Sequence, residues 1–232
     1  MRITVVGASG RVGSKVVEDL QATGHDVVAA SRSSGVDVLT GAGLDEALAG
    51  ADVIVNVTDS PILEAGPAME FFTTSTPILV EAARRAGVGH FVGLSIVGVD
   101  GVPDSGYFRA KVAQEKIIAE SGIPYSIVHA TQFGEFAEAI TDSMTVGNEV
   151  RVPDALIQPI PAADVAAAVA RTAGSAPANG IVTVGGPKKI TFEQLARDAL
   201  AQTGDDSKTV IVDPDARYFG AKLQTNSLVT PD

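Results

Sequence analysis

Tyr107, Lys111 and Ser95 are the residues of this chain whose types and spacing suit proton transfer to a substrate oxygen. Tyr107 and Lys111 stand four apart, so on a helix they share one face. A free phenol titrates at a pKa of about 10, too high for an efficient base at neutral pH, and a neighbouring ammonium favours its ionised form. Lys111 is expected to supply that charge. Tyr107 then serves as general acid in a reduction and general base in an oxidation, with the Ser95 hydroxyl holding the reacting oxygen. The hydride in such chemistry comes from a nicotinamide cofactor, and the protein contributes position and field.

A second group of residues suits that cofactor. Gly7, Gly10 and Gly13 lie between a β-branched run, Ile3 to Val6, and a helical repeat of Val12, Val16, Val17 and Leu20. Strand, glycine turn and helix together leave free backbone N–H groups at a helix start, where the dipole favours an anion such as a pyrophosphate. The expected cradle is Gly7, Ser9, Gly10, Arg11, Val12 and Gly13, spaced GxxGxxG instead of the GxGxxG of the common dinucleotide fingerprint. A second strand, Asp26 to Ala30, ends in Ser31-Arg32-Ser33-Ser34. The end of that strand lies beside the adenosine ribose in dinucleotide sites, where an acidic residue suits a 2′-hydroxyl and an arginine a 2′-phosphate. Arg32, Ser33 and Ser34 therefore favour NADP over NAD. Val57 and Thr58, at the end of a later strand, are candidates for the cofactor wall.

These residues need elements to place them. Asp52 to Val57 and His90 to Val97 read as buried strands, and the second brings Ser95 to the edge where the strands' carboxyl ends collect ligands. Tyr107 to about Ser121 reads as a helix stopped by Gly122 and Pro124, and Ile78 to Ala86 as another, with Pro77 at a first turn or a kink. Val36 to Val38 is expected as a brief strand and Leu44 to Leu48 as a helix. Tyr125 to His129 reads as a strand, with His129 a hydrogen-bonding residue at its end. Phe133 and Phe136 are candidates for an apolar substrate pocket, although aromatic residues at such spacing are more often core. Further on come a helix capped by Asp164, a strand over Ile181 to Val184, a capping box at Thr191 to Gln194 and a strand over Thr209 to Val212. Strands alternating with helices predict an α/β fold, a Rossmann-type doubly wound parallel sheet. Residues 1–232 read as a single domain, with a small C-terminal substrate-binding portion from about 133 onward.

Composition limits the classes of partner. A net charge of −11 argues against nucleic acid and against an anionic membrane surface. The chain contains no Cys, which removes disulfide and thiol chemistry. His25, His90 and His129 show no ligand spacing, so no metal is expected. The chain opens on a core strand with no room for a signal peptide, and no apolar run approaches the ~18 residues of a membrane span. A cytoplasmic protein acting on a small-molecule substrate is the expectation. The oligomeric state is left open, a homo-oligomer included.

Taken together, Gly7-x-x-Gly10-x-x-Gly13, Ser95 and Tyr107-x-x-x-Lys111 resemble the short-chain dehydrogenase/reductase superfamily, in particular its atypical, NmrA-like NAD(P)-binding branch. The segments Gly93 to Gly98 and Ser121 to Val128 extend the resemblance over roughly residues 1–204. It implies a Rossmann sheet, a phosphate loop at Gly7 to Gly13, catalytic Ser95, Tyr107 and Lys111, and a nicotinamide-side wall near Ala130 to Phe133. Where better-known members carry an Asn-rich motif, this chain has Asn56-Val-Thr-Asp59, which leaves the fourth member of their catalytic tetrad unassigned. Many NmrA-like regulators bind the dinucleotide without the tyrosine, and its presence here favours catalysis. The expected function is an NADP-dependent oxidoreductase of a small carbonyl, alcohol or quinone; the alternative is a non-catalytic dinucleotide-binding redox sensor.

Overall fold

A computed structural model describes residues 1–231. The first half alternates strands and helices: β1 (Arg2–Val6), α1 (Gly13–Ala22), β2 (Asp26–Ala30), α2 (Leu44–Leu48), β3 (Val53–Asn56), α3 (Ala65–Ala86), β4 (His90–Ile96), α4 (Gly106–Ala119) and β5 (Tyr125–Ala130). The second half is more broken: α5 (Ala137–Ser143), β6 (Thr145–Val146), β7 (Glu149–Val152), β8 (Leu156–Ile157), α6 (Ala162–Ala173), β9 (Gly180–Val184), β10 (Ile190–Thr191), α7 (Phe192–Thr203) and β11 (Thr209–Val212).

Six strands form one parallel sheet in the order β2-β1-β3-β4-β5-β9. Strand order reverses between β1 and its neighbours β2 and β3, which opens a crevice at their carboxyl ends. Register levels those ends: Val6 lies opposite both Ala30 and Asn56, and Ser95 lies opposite His129.

Helices cover both faces, because the inner strands β1, β3, β4 and β5 bury both of their sides, while the edge strands β2 and β9 stay partly exposed. Val16 and Leu20 of α1 and Val165 and Val169 of α6 pack on Ile3, Val5 and Val55. On the other face Leu44, Leu48, Leu79 and Ala83 meet Val6, Ile54 and Phe91. Each such fully buried Leu, Ile or Phe stabilises the fold by ~1.5–3 kcal/mol relative to exposure. A third apolar cluster joins Phe72, Tyr107 and Phe108 to Val150 and Val152 of β7, to Phe192 and Leu195 of α7, and to Tyr218 and Leu228 beyond β11. The C-terminal part is thus seated on α3 and α4, over the edge that carries the candidate site.

Four local expectations are corrected. Val36 to Val38 forms no strand, because the Asp37 carboxylate accepts the N–H groups of Leu39 and Thr40 and turns the chain; β2 is therefore the sheet edge. Pro77 lies inside the 22-residue α3, where both Pro77 and Thr73, whose carbonyl loses its partner, are exposed to water. Asp164 sits in the first turn of α6 and does not cap it; the carboxylate of Glu135 accepts from Ala162 N at 2.9 and 3.1 Å and does so from a distance in sequence. Thr191 caps Gln194 N, but the Gln194 amide turns to Asp198 and leaves the box half made. Among the described residues no helix is long and apolar enough to cross a membrane.

Candidate functional site

The glycine turn follows from β1 ending level with β2. Gly7, at φ +91°, folds back so that its N–H and that of Ala8 both donate to Ala30 O, at 2.9 and 3.1 Å. Its own carbonyl accepts from Gly10 N at 3.0 Å. A Cβ on Gly13 would stand 2.1 Å from Gly7 O, and one on Gly7 would stand 3.0 Å from the Val57 carbonyl carbon. Helix α1 and the start of the β3 loop therefore close on the turn as only glycine allows. The backbone N–H groups of Ser9, Arg11, Val12 and Gly13 have no acceptor among the described residues. Four such donors at a helix start are a ready anion site. A Cβ on Gly10 would meet only Gly7 O, so the turn is open on that side. The Val12 side chain is buried, leaving only its backbone for a ligand. Arg11 is exposed, with its guanidinium 5.3 Å above the Phe136 ring.

Beside it, Arg32 to Ser34 form one turn of 3₁₀ helix. The Ser34 and Ser33 hydroxyls bond within the turn, to Ser31 backbone and to Ser31 Oγ. The Arg32 side chain is exposed and has no hydrogen-bond partner among the described residues, so its charge is available to a ligand. On the other side of the crevice Thr58 N and Oγ1 both donate to Asn56 Oδ1, at 3.1 and 2.7 Å. Asn56 is 1% exposed, and its Nδ2 is a buried donor with no acceptor among the described residues. Gln132, which follows β5, is likewise buried with both amide atoms unpaired. An open cradle, a free arginine and orphaned amides along one carboxyl edge fit a dinucleotide.

The three residues expected to act together are brought to that edge with other partners. The Tyr107 hydroxyl lies 2.9 Å from both carboxylate oxygens of Asp59, in the loop after β3. Lys111 is buried and donates to Leu94 O at 2.8 Å and to Gln114 Oε1, with its ammonium 4.6 Å from the centre of the Phe72 ring. The Ser95 hydroxyl donates to Glu115, whose Oε1 is also 3.0 Å from His129 Nε2. Helical spacing puts the α4 members of these pairs on one face, since Lys111 and Glu115 extend the Tyr107 face by one turn each.

Electrostatics correct one expectation. Burial, then the Asp59 charge and the hydrogen bond to it, push the Tyr107 phenol well above its ordinary pKa, instead of an ammonium drawing it down. Burial lowers the pKa of Lys111, opposed by Asp59 and Glu115. Asp59 and Glu115 are the site residues that sequence reasoning passed over. The i, i+4 step from Lys111 to Glu115 carried a signal, whereas the approach of Asp59 to Tyr107 joins residues 48 apart and carried none.

A cavity of about 460 Å³ lies beside Tyr107, lined among others by Leu63, Asp104, Arg109 and Phe219. Phe133 and Phe136 do not line it: Phe133 packs on the sheet core, and Phe136, 42% exposed, lies under Arg11 at the glycine turn. The aromatic wall nearest Tyr107 is Phe219, from the tail. Among the described residues there is no cluster of three or more His, Asp or Glu able to hold a metal ion.

Residues 7–175 match the model of a family described as NAD(P)H-binding. Among curated proteins, the photosystem II assembly factor Ycf39 of Synechocystis is 24% identical over 165 residues, 63% of this chain and 51% of its own. The chain spans about half the length of the curated relatives it matches. Among solved structures, the NADPH complex of the NADPH-dependent quinone oxidoreductase QOR2 of Escherichia coli superposes with a TM-score of 0.68 at 23% identity, covering 91% of this chain and 77% of that one. DesIV, a dTDP-glucose 4,6-dehydratase of Streptomyces venezuelae with NAD bound, gives 0.72 at 20% identity over 92% and 85%. At these identities the structures show a shared fold.

Proposed function

The chain belongs to the NAD(P)H-binding family, and from that premise we propose that it is an NADP-dependent oxidoreductase of a small carbonyl, alcohol or quinone. The observation that carries this is the row of unpaired N–H groups in the glycine turn, which faces the same carboxyl edge as Tyr107. In the reductive direction the bound cofactor supplies a hydride, two electrons with one hydrogen nucleus, to an electron-poor carbon and leaves oxidised.

The chain's own residues do the rest. The N–H groups of Ser9, Arg11, Val12 and Gly13 hold the diphosphate, and Arg32 meets the 2′-phosphate that distinguishes NADP from NAD. Val57 and Thr58 form the wall across the crevice. Tyr107 gives its hydroxyl proton to the substrate oxygen, which requires that oxygen to displace Asp59 as the acceptor, and recovers a proton from water. Lys111, when protonated, stands within electrostatic reach of Asp59 and so offsets the carboxylate that opposes ionisation of the phenol. Glu115 orients the Ser95 hydroxyl. Residues from about 133 onward add Phe219 and Gly220 to a substrate side that Leu63, Asp104 and Arg109 also line.

One observation favours a second reading, a non-catalytic dinucleotide-binding redox sensor: the Tyr107 and Ser95 hydroxyls are both committed to carboxylates. The name of the Ycf39 relative, an assembly factor, points the same way. Titration with NADPH and NADH, run beside NADPH oxidation against quinones, aldehydes and ketones, separates the two. Turnover supports the enzyme, saturable binding without turnover on any substrate supports the sensor, and absence of binding overturns both.

A further inference from the structure

A continuous run of rings leads from Phe72 through Tyr107 and Phe108 to Phe219, Tyr218 and Phe192, with neighbouring centroids 4.7 to 6.4 Å apart. All are buried except Phe219, which is 37% exposed. It lies nearly parallel to Tyr107, at 26° and 5.3 Å, and borders the cavity beside it.

The backbone under this ring is unusual. Tyr218 and Ala221 exchange both of their hydrogen bonds, at 2.9 and 3.1 Å, so Phe219 and Gly220 are the two-residue tip of a hairpin. Their φ angles are +48° and +78°. Positive φ at both central positions is the type I′ pattern, which selects Asn, Asp or Gly at the first. Among the described residues the other non-glycine at positive φ is Asn179, a type that tolerates it. A phenylalanine is costly there, so turn formation does not explain it. A strained residue of this kind persists where its side chain has a task. Tyr218 and Ala221 are buried at the base of the tip and Gly220 O accepts from the nearby Arg217 at 3.0 Å, so the tip meets the rest of the chain through the Phe219 ring.

The ring covers the residue that the proposed reaction needs uncovered. Tyr107 is 7% exposed. We infer that Phe219 holds the place of a flat conjugated ring of the substrate over Tyr107, and that the 218–221 hairpin is a flap that lifts when that ring enters. The occupant is flat because the face offered is that of Tyr107, already used in an offset stack, and an aliphatic chain gains nothing comparable from it. This rests on the oxidoreductase reading and narrows its substrates to planar, ring-bearing acceptors such as quinones.

Phe219→Gly keeps the positive φ and removes the ring; Phe219→Leu keeps apolar bulk and is the control for lost packing. Hydroxyl-radical footprinting, read by mass spectrometry at Tyr107 in the absence of cofactor, reports its covering independently of activity. Steady-state oxidation of NADPH with p-benzoquinone and with butanal reports the competition. Oxidation of Tyr107 is expected to rise several-fold in Phe219→Gly and to stay near wild type in Phe219→Leu. The KM for the quinone is expected to fall about 3- to 10-fold, the worth of one aromatic stack, with little change for butanal. The chain has no Trp, so Phe219→Trp installs a single emission reporter at the tip, expected to shift saturably with p-benzoquinone. An unchanged footprint, or a quinone KM that stays or rises in Phe219→Gly, overturns the flap even if turnover is robust. A rising footprint and a saturable shift without turnover uphold the flap and overturn the oxidoreductase reading.

Discussion

The Tyr107 hydroxyl donates to Asp59, at 2.9 Å from each carboxylate oxygen, and so ties the first turn of α4 to the loop after β3. The phenol's immediate charged partner is thus an anion, and its proton is held more tightly than in water. Replacing Asp59 by Asn keeps a hydrogen-bond acceptor and removes the charge. The phenol pKa falls in that variant, and the alkaline limb of the pH–rate profile for NADPH oxidation moves to lower pH. Tyr107→Phe loses ~10²–10⁴-fold in kcat; full activity in that variant removes Tyr107 from the chemistry.

Gly13 and Gly10 separate packing from ligand approach. Gly13→Ala drives a methyl to within 2.1 Å of Gly7 O, an overpacking worth ~1–3 kcal/mol of stability, and it opens the turn. Gly10→Ala meets Gly7 O at 3.2 Å and nothing else, so thermal unfolding changes little. Its methyl instead occupies the open side of the turn and weakens NADPH binding about tenfold, ~1.4 kcal/mol. Calorimetric titration beside thermal melts tests both.

The proposed preference for NADP rests on Arg32, whose side chain is exposed and without a hydrogen-bond partner among the described residues. Arg32→Glu removes one charged hydrogen bond to a 2′-phosphate, ~1.5–3 kcal/mol, so NADPH affinity falls about 10- to 100-fold while NADH affinity holds or improves. Equal losses for both cofactors would place the 2′-phosphate elsewhere.

His90, on β4, is 3% exposed with Nε2 2.9 Å from Ser126 Oγ, and burial holds its pKa below the usual imidazole value. The unfolded chain binds this proton first. Stability from the neutral ring is therefore complete above the unfolded pKa of about 6.5 and is lost as pH falls below it toward the folded value. His90→Gln removes that component, so wild type loses more in Tm than the variant between pH 8 and pH 5. Parallel slopes would show that His90 does not titrate on unfolding.

Local chemistry determined much of this protein in advance. The β-branched run Ile3 to Val6, the glycines at 7, 10 and 13 and the four-residue step from Tyr107 to Lys111 each act through neighbours a few residues away, and the sheet, the turn and the shared helix face follow from them. Glycine helix stops such as Gly24 and Gly87 are legible because the signal lies beside the last turn. Val36 to Val38 reads as a strand but forms none, because one carboxylate, that of Asp37, turns a β-branched pair away from the sheet.

What only the tertiary structure decided is which partners the chemical groups take. Asp59 reaches Tyr107 across 48 residues, Phe219 covers it across a longer span of chain, and Ser95 turns to Glu115, which also meets His129. Side-chain types and helical spacing say where a phenol and an ammonium stand on one helix. Whether the phenol meets a cation or a carboxylate is set by which loops the packed sheet delivers to the same edge, and no periodicity within a single element encodes that.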